Sequence, residues 1–349
     1  LELIRMNSKS IKKLIKSIIF VVLFATMLVV LCEVFTPKTS DLQGGMTNPN
    51  ARGFYGERKN SIDLLVLGDS NAYCAYSPMF IWKKYGIPSY VAAEGNQNIV
   101  GALNILDEVL ECQSPKVMIF DVNMLWSGKT DTQRTEDCIT NILYKYVPII
   151  KYHNRWKNMS LGDGFKGKNY TYRSSTRGQN LSRKVLPYVG EDKMQESDEV
   201  DDIPWITKFF FEKLLKKCEK NGIKVVLMET PTATSWTYAR HVAMEAYAEE
   251  HDMTFIDFNT LTGKYAIDWS EDTRDGGMHM NSYGARKVTA YLGKYLTSNY
   301  TFENKQNDIE YANWNKEYAE YRSYMLKKKI YIEVDSDDVQ EPGNAGEGE

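Results

Sequence analysis

"IDLLVLGDSNAYCAY", residues 62–76, decides the fold. Its first six residues form an apolar run of strand length, which stops abruptly at Gly68-Asp69-Ser70-Asn71. A short apolar run bounded by turn residues fits a buried strand. A strand that ends by presenting a serine between an acid and an amide is either an ordinary strand-to-helix turn or the seat of a nucleophile. The second outcome needs partners elsewhere in the chain.

Working outward, the rhythm repeats. "SPMFIWKKYG" (77–86) has Ser77 as a possible N-cap, Pro78 in the first turn and Gly86 at the end, the marks of a helix. "PSYVAA" (88–93) is a second strand, and "NIVGALNILDEVLEC" (98–112) has helical periodicity. "KVMIFDV" (116–122) is a third strand, apolar enough to be buried on both faces. After a break, "IPWITKFFFEKLLKKCEKNG" (203–222) is a helix ending at Gly222. "IKVVLMETP" (223–231) is a strand, "YARHVAMEAYAEEH" (238–251) a helix, "MTFIDF" (253–258) a strand and "SYGARKVTAYLGKYL" (282–296) a closing helix. Such alternation predicts an α/β fold with a parallel sheet covered on both faces, over residues 61–297. Residues 127–200 are polar with aromatic islands such as "YKYVPIIKYHNRW" (144–156), and suggest an insertion serving as a lid or substrate-binding subdomain. Tyr311, Trp314, Tyr318 and Tyr321 share one helix face within 298–330, a stripe expected to pack on the parent domain. The acidic, Gly-rich stretch 331–349 has the composition of a disordered tail.

At the other end, "SIIFVVLFATMLVVLC" (17–32) carries no charge, and Val34 and Phe35 extend it. It approaches the ~20 residues of a transmembrane helix. Lys9, Lys12, Lys13 and Lys16 precede it, which places that end in the cytoplasm and everything after residue 36 outside. No small-x-small cleavage site follows, so an uncleaved single-pass anchor (1–36) is expected rather than a signal peptide. Residues 37–60, rich in Gly, Pro, Asn and Thr, suggest a linker.

The 349 residues carry a net charge of −3, which gives no electrostatic case for nucleic-acid binding. Five scattered cysteines without a CxxC pair argue against a zinc site or a dense disulfide framework, and leave one disulfide open. No metal or organic cofactor is implied.

In a parallel sheet, sites form at the carboxyl ends of the strands, where Ser70 falls. The turn and helix that follow would aim free backbone N–H groups at it. A serine needs a base near neutral pH. Of four histidines, His153 sits in the insertion, and His241 and His251 lie on or beside a helix of ordinary composition. His279 lies in "TRDGGMHMNSYGARKVT" (273–289), a Gly-rich loop after the last strand, with Asp275 four residues before it.

The pairing of "LVLGDSN" with "DGGMHMNSYGARKVT" resembles the SGNH/GDSL hydrolase superfamily, over roughly residues 60–297 excluding much of the insertion. The resemblance implies a three-layer, flavodoxin-like fold in which Ser70 is the nucleophile and His279 its base. It also implies an oxyanion hole completed by a second-block glycine, matched by Gly95 in "AAEGNQN", and a third-block asparagine, matched by Asn123 in "FDVNMLW". Two departures stand out. The superfamily places Asp three residues before His, whereas Asp275 is four before, leaving Asp272 as a rival. The third block lacks the Gly-x-Asn-Asp form, leaving Asn96 or Asn98 as alternative donors. The architecture is similar to membrane-anchored bacterial envelope proteins of this type, including D-alanyl transfer proteins that work beside multi-span O-acyltransferases. That implies a serine esterase or O-acyltransferase acting on an acylated envelope glycan or polymer, with such an acyltransferase as partner. The competing expectation is a catalytically degenerate domain that binds glycan or docks onto the acyltransferase.

Overall fold

Five parallel strands form the frame: β1 Leu64–Gly68, β2 Ser89–Ala93, β3 Val117–Asp121, β4 Lys224–Glu229 and β5 Phe255–Asp257. Their spatial order is β2-β1-β3-β4-β5, the flavodoxin-like doubly wound order. The computed structural model describes residues 8–332 apart from 158 and 160; the acidic stretch 333–349 lies outside the described residues. The helices are α1 Ser8–Phe35, α2 Pro49–Arg52, α3 Ser70–Ala75, α4 Pro78–Tyr85, α5 Ile99–Leu110, α6 Asp131–Tyr146, α7 Pro148–Tyr152, α8 Trp205–Lys220, α9 Tyr238–Glu250, α10 Ser282–Asn299 and α11 Ala312–Lys327. The chain forms two compact units. Among the described residues, one holds Ser8–Thr47 together with Ile142–Tyr170, and the other holds Asn48–Asn141 and Thr171–Ile332.

In the larger unit, Val66 pairs with Val91 on one side and Ile119 on the other, and Ile119 pairs with Val226. Paired residues in a parallel ladder share a face, so these four make one apolar surface. Val288, Leu292 and Leu296 of α10 cover it, with Ala72 of α3 and Ile81 of α4. On the opposite face Phe120 stacks on Phe211 of α8 at 4.9 Å. Both faces are therefore buried, which is why the strands carry apolar runs instead of alternating.

The aromatic stripe near the end packs on α4. Trp314 and Tyr311 lie against Trp82 at 5.2 and 6.1 Å, and Tyr321 meets Phe80 edge-on. Arg177 lies 4.3 Å from the centre of the Trp314 ring. Packing continues through Ile330 and Ile332, both buried, so the ordered chain passes the 330 boundary suggested by composition.

Two segments differ from their sequence expectation. Residues 48–60 are packed rather than a free linker. Phe54 is fully buried, and Arg52 pairs with Glu94 and, at 2.6 Å, with Glu108. The stretch 127–200 is not one subdomain, because its middle third belongs with α1. The last carbonyls of any helix lack intrahelical donors. Here Lys38 Nζ donates to Glu33 O at 3.0 Å, and Arg155 donates to the carbonyls of Val34, Phe35 and Thr36 at 3.0, 2.8 and 2.7 Å. α1 is long and apolar enough to cross a membrane, and its apolar stretch is unburied.

The stripe makes α11 part of the fold rather than an appendage. Trp314→Ala is expected to cost about 3–5 kcal/mol, lowering the melting temperature of the purified protein by roughly 10 °C. An unchanged melting temperature would contradict this.

Candidate active site

Ser70 is held by a strand exit. Gly68 ends β1 where the chain must turn tightly. A Cβ there would lie 2.4 Å from the Ala72 Cβ and 2.8 Å from the Asp121 Cβ, so only glycine lets α3 and the end of β3 approach this closely. Asp69 then caps α3 by accepting from Asn71 N at 2.8 Å. Ser70 is the first helical residue and remains partly exposed. The chain leaves β1 toward β2 and leaves β3 toward β4, so the crevice between β1 and β3 is the topological switch point where such sheets bind ligands.

His279 reaches the same edge from the loop between β5 and α10. Its Nε2 lies 2.8 Å from Ser70 Oγ, and its Nδ1 lies 2.6 Å from Asp275 Oδ2. Asp275 Oδ1 also accepts from His279 N at 2.8 Å, so one carboxylate clamps both the ring and the backbone. Gly276 and Gly277 have φ of 78° and 87°, left-handed values that fold the four-residue spacing back on itself. The loop is pinned on both sides: Gly276 N donates to Leu186 O and Ala233 N to Gly277 O. An anionic Asp275 against Nδ1 places the ring proton there, and leaves Nε2 as an acceptor for the serine proton. Burial pushes the Asp275 carboxyl up, but hydrogen bonds from the His279 side chain and backbone outweigh it, and the group sits below its ordinary range.

Asp272 is occupied elsewhere. It accepts from Lys287 Nζ at 2.7 Å and from Asp268 N at 2.8 Å, deep beneath α10. The other histidines have other partners. His241 Nδ1 lies 2.8 Å from Asp257 Oδ2, His251 stacks on Tyr247, and His153 contacts Ile150 O in the smaller unit.

Gly95 lies in the exposed turn after β2, where the atom nearest a would-be Cβ is the Tyr73 hydroxyl at 3.7 Å. Asn123 follows β3, is largely buried, and donates from Nδ2 to Ser235 Oγ at 3.0 Å. Asn96 is exposed with φ 54°, and Asn98 caps α5, its Oδ1 accepting from Gly101 N at 2.8 Å.

Several neighbours gave no signal in the sequence. Burial raises the Tyr73 phenol, against a hydrogen bond with Ser70 that opposes the shift. Arg274 stands 3.7 Å from Asp275 and donates to Asn180 at 3.2 Å. The Cys74 thiol, one helical turn beyond Ser70, is pushed up to about 12 by burial, so it is no competing nucleophile. Beneath the site, Asp69, Asp121, Glu229 and Asp257 line the ends of β1, β3, β4 and β5. Burial drives Asp121 up to about 8, with Asp69 adding to the effect and a 2.5 Å hydrogen bond from Thr230 opposing it. Glu229 is fully buried, neither oxygen has a hydrogen-bond partner among the described residues, and burial with three nearby carboxyls holds it far above its ordinary range. All five cysteines are free thiols.

No protein-family model matches the chain, and no curated protein sequence does. Among solved structures it is similar to a Bacteroides fragilis protein assigned as an acylhydrolase: 14% identity, TM-score 0.38, covering 71% of this chain and 94% of that one. It is also similar to a GDSL-like lipase from Bacteroides thetaiotaomicron: 13% identity, TM-score 0.35, covering 67% and 87%. A third is the esterase EstA from Pseudoalteromonas: 13% identity, TM-score 0.37, covering 67% and 96%.

The acid cluster has a consequence for stability. Folded Asp121 holds its proton to about pH 8, whereas an unfolded aspartate loses it near pH 4. The unfolded chain therefore binds fewer protons between those limits, and stability falls as pH rises through them. Asp121→Asn, whose amide can accept from Asn123 N and donate to the Thr230 hydroxyl, is expected to flatten that decline. Melting temperatures measured from pH 5 to pH 8 test this, and parallel curves for the two proteins would refute it.

Proposed function

We propose that the protein is a membrane-anchored serine esterase or O-acyltransferase of SGNH type. Its catalytic unit stands outside the cell, and it acts on ester-linked acyl groups of an envelope glycan or polymer through an acyl-serine intermediate. The observation that carries this is the relay from Ser70 Oγ through His279 to Asp275, at 2.8 and 2.6 Å.

In this mechanism Ser70 Oγ attacks the ester carbonyl while His279 Nε2 takes its proton. Asp275 holds the imidazole in the tautomer that accepts, and stabilises the imidazolium that forms. The carbonyl oxygen becomes an oxyanion, for which the backbone N–H groups of Ser70 and Gly95 are donors. One Asn123 N–H holds Ser235, and its second, with no partner among the described residues, is offered to the same oxygen. When the tetrahedral intermediate collapses, His279 returns the proton to the leaving alkoxide. Water, or a sugar or polyol hydroxyl, then gives its proton to His279 and attacks the acyl-serine; as the acyl–Oγ bond breaks, His279 returns that proton to Ser70 Oγ. Water gives hydrolysis; a hydroxyl gives transfer. Lys9, Lys12, Lys13 and Lys16 in the first turns of α1, and the apolar stretch that follows them, support an anchor with its larger unit outside.

A fluorophosphonate probe is expected to label the wild type and not Ser70→Ala; equal labelling would sink the proposal. With a small chromogenic ester, Asp275→Asn should lower kcat by about 10³–10⁴ with little change in KM, and Asn123→Ala by about 10²–10³. Asp272→Asn separates the two aspartates. It should leave kcat almost unchanged while lowering the melting temperature, because it strands the buried Lys287 ammonium, a loss of about 3–5 kcal/mol. A collapse of kcat in Asp272→Asn with none in Asp275→Asn would reverse the assignment.

A further inference from the structure

The smaller unit has a composition unlike the rest of the chain. Between Ile142 and Tyr170 there are six basic residues against one acid, Asp163, a net charge of +5 in a protein of net charge −3. Three of the lysines sit over aromatic rings: Lys145 over Tyr146 at 5.6 Å, Lys151 over Tyr152 at 5.6 Å and Lys157 over Trp156 at 5.9 Å. Large apolar side chains in this unit point outward. Phe165 is 95% exposed, Tyr146 71% and Trp156 64%. Three large exposed aromatics within twenty residues, each near a lysine-rich stretch, mark a candidate interaction surface.

The attachment of this segment locates it. Arg155, itself buried, donates to the last carbonyls of α1, and Gly164 abuts Val34, where a Cβ would come within 2.9 Å of the valine side chain. Tyr170 Oη donates to Pro37 O, and Asn169 N to Lys38 O. Every one of these contacts falls on residues 34–38, where the apolar helix ends. For a helix that spans a bilayer, that end lies at the level of the lipid headgroups. Aromatic rings paired with cations are the side chains that this layer favours: the ring enters the acyl boundary and the ammonium stays at the phosphates.

We propose that residues 142–170 form a collar seated in the outer headgroup layer of the membrane. Tyr146, Trp156 and Phe165 enter the acyl boundary, and Lys145, Lys151 and Lys157 face the phosphates of anionic lipids. The collar rests on the reading of α1 as a membrane anchor, and it gives that anchor a fixed depth. The aromatic island of the insertion therefore meets lipid, not substrate.

The test uses the full chain and has two arms. Alkaline carbonate extraction of membranes bearing the protein reports on the anchor alone, and retention in the membrane is expected. The purified protein is then reconstituted into vesicles of phosphatidylglycerol and phosphatidylcholine, with the phosphatidylcholine brominated near the headgroup end of its acyl chains. Bromine quenches only tryptophans within contact range. Quenching is expected in the wild type, with most of it lost in Trp156→Phe at an unchanged melting temperature. Release by carbonate would overturn the anchor and the collar together. Retention with equal quenching of wild type and Trp156→Phe would overturn the collar alone and point to a soluble partner for this surface. A loss confined to Trp205→Phe, which removes the exposed tryptophan of the larger unit, would do the same.

Discussion

Every strand of the sheet runs the same way, and this one constraint arranges the rest of the larger unit. Parallel strands deliver all five chain exits to a single edge. Ser70 leaves β1 there and Asn123 leaves β3, while the His279 loop follows β5, so residues more than two hundred positions apart meet without long excursions. The same edge collects the carboxyls of Asp69, Asp121, Glu229 and Asp257. Burying so many acids is unfavourable unless some stay protonated. The upward shifts at Asp121 and Glu229 are the form that this cost takes. The fold therefore gives up stability toward alkaline pH for a crowded polar floor beneath the serine.

Much of this was legible in the sequence because parallel, doubly covered strands leave a plain trace. "LLVL", "YVAA", "VMIF" and "VVLM" are continuous apolar runs, and each is followed by turn residues at the carboxyl edge. The glycine of Gly68-Asp69-Ser70 was visible as a turn residue. Its reason was only half visible: a Cβ would clash with Ala72 four residues on and with Asp121, and Asp121 comes from another strand. The aspartate partner of His279 stayed open for a similar reason. Spacing alone cannot separate Asp272 from Asp275 across two glycines. Left-handed backbone at Gly276 and Gly277 turns Asp275 onto the ring, and a lysine fifteen residues downstream occupies Asp272.

Composition misled at two places, and in both an arginine explains the difference. Residues 48–60 look like a linker, yet Arg52 ties them to Glu94 and Glu108 from β2's exit and α5. Residues 127–200 look like one insertion, yet Arg155, in the aromatic island within them, closes the end of α1. Neither could be inferred locally, because each partner lies tens of residues away or more.

The closure of α1 also bears on why such a cation is kept at this place. A helix leaving a bilayer ends in carbonyls that lose the donors of the next turn, in a layer where free water competes poorly with fixed charges. Lys38 and Arg155 supply donors to four successive carbonyls, Glu33 through Thr36, and place positive charge at the negative end of the helix dipole. A flexible exit would leave the helix end free to fray and slide. A guanidinium bonded to three carbonyls at once fixes the direction in which the chain departs, and with it the segment that carries Trp156 and Phe165. In the proposed collar, the depth of that segment would be set by backbone hydrogen bonds rather than by the weak preferences of its own side chains.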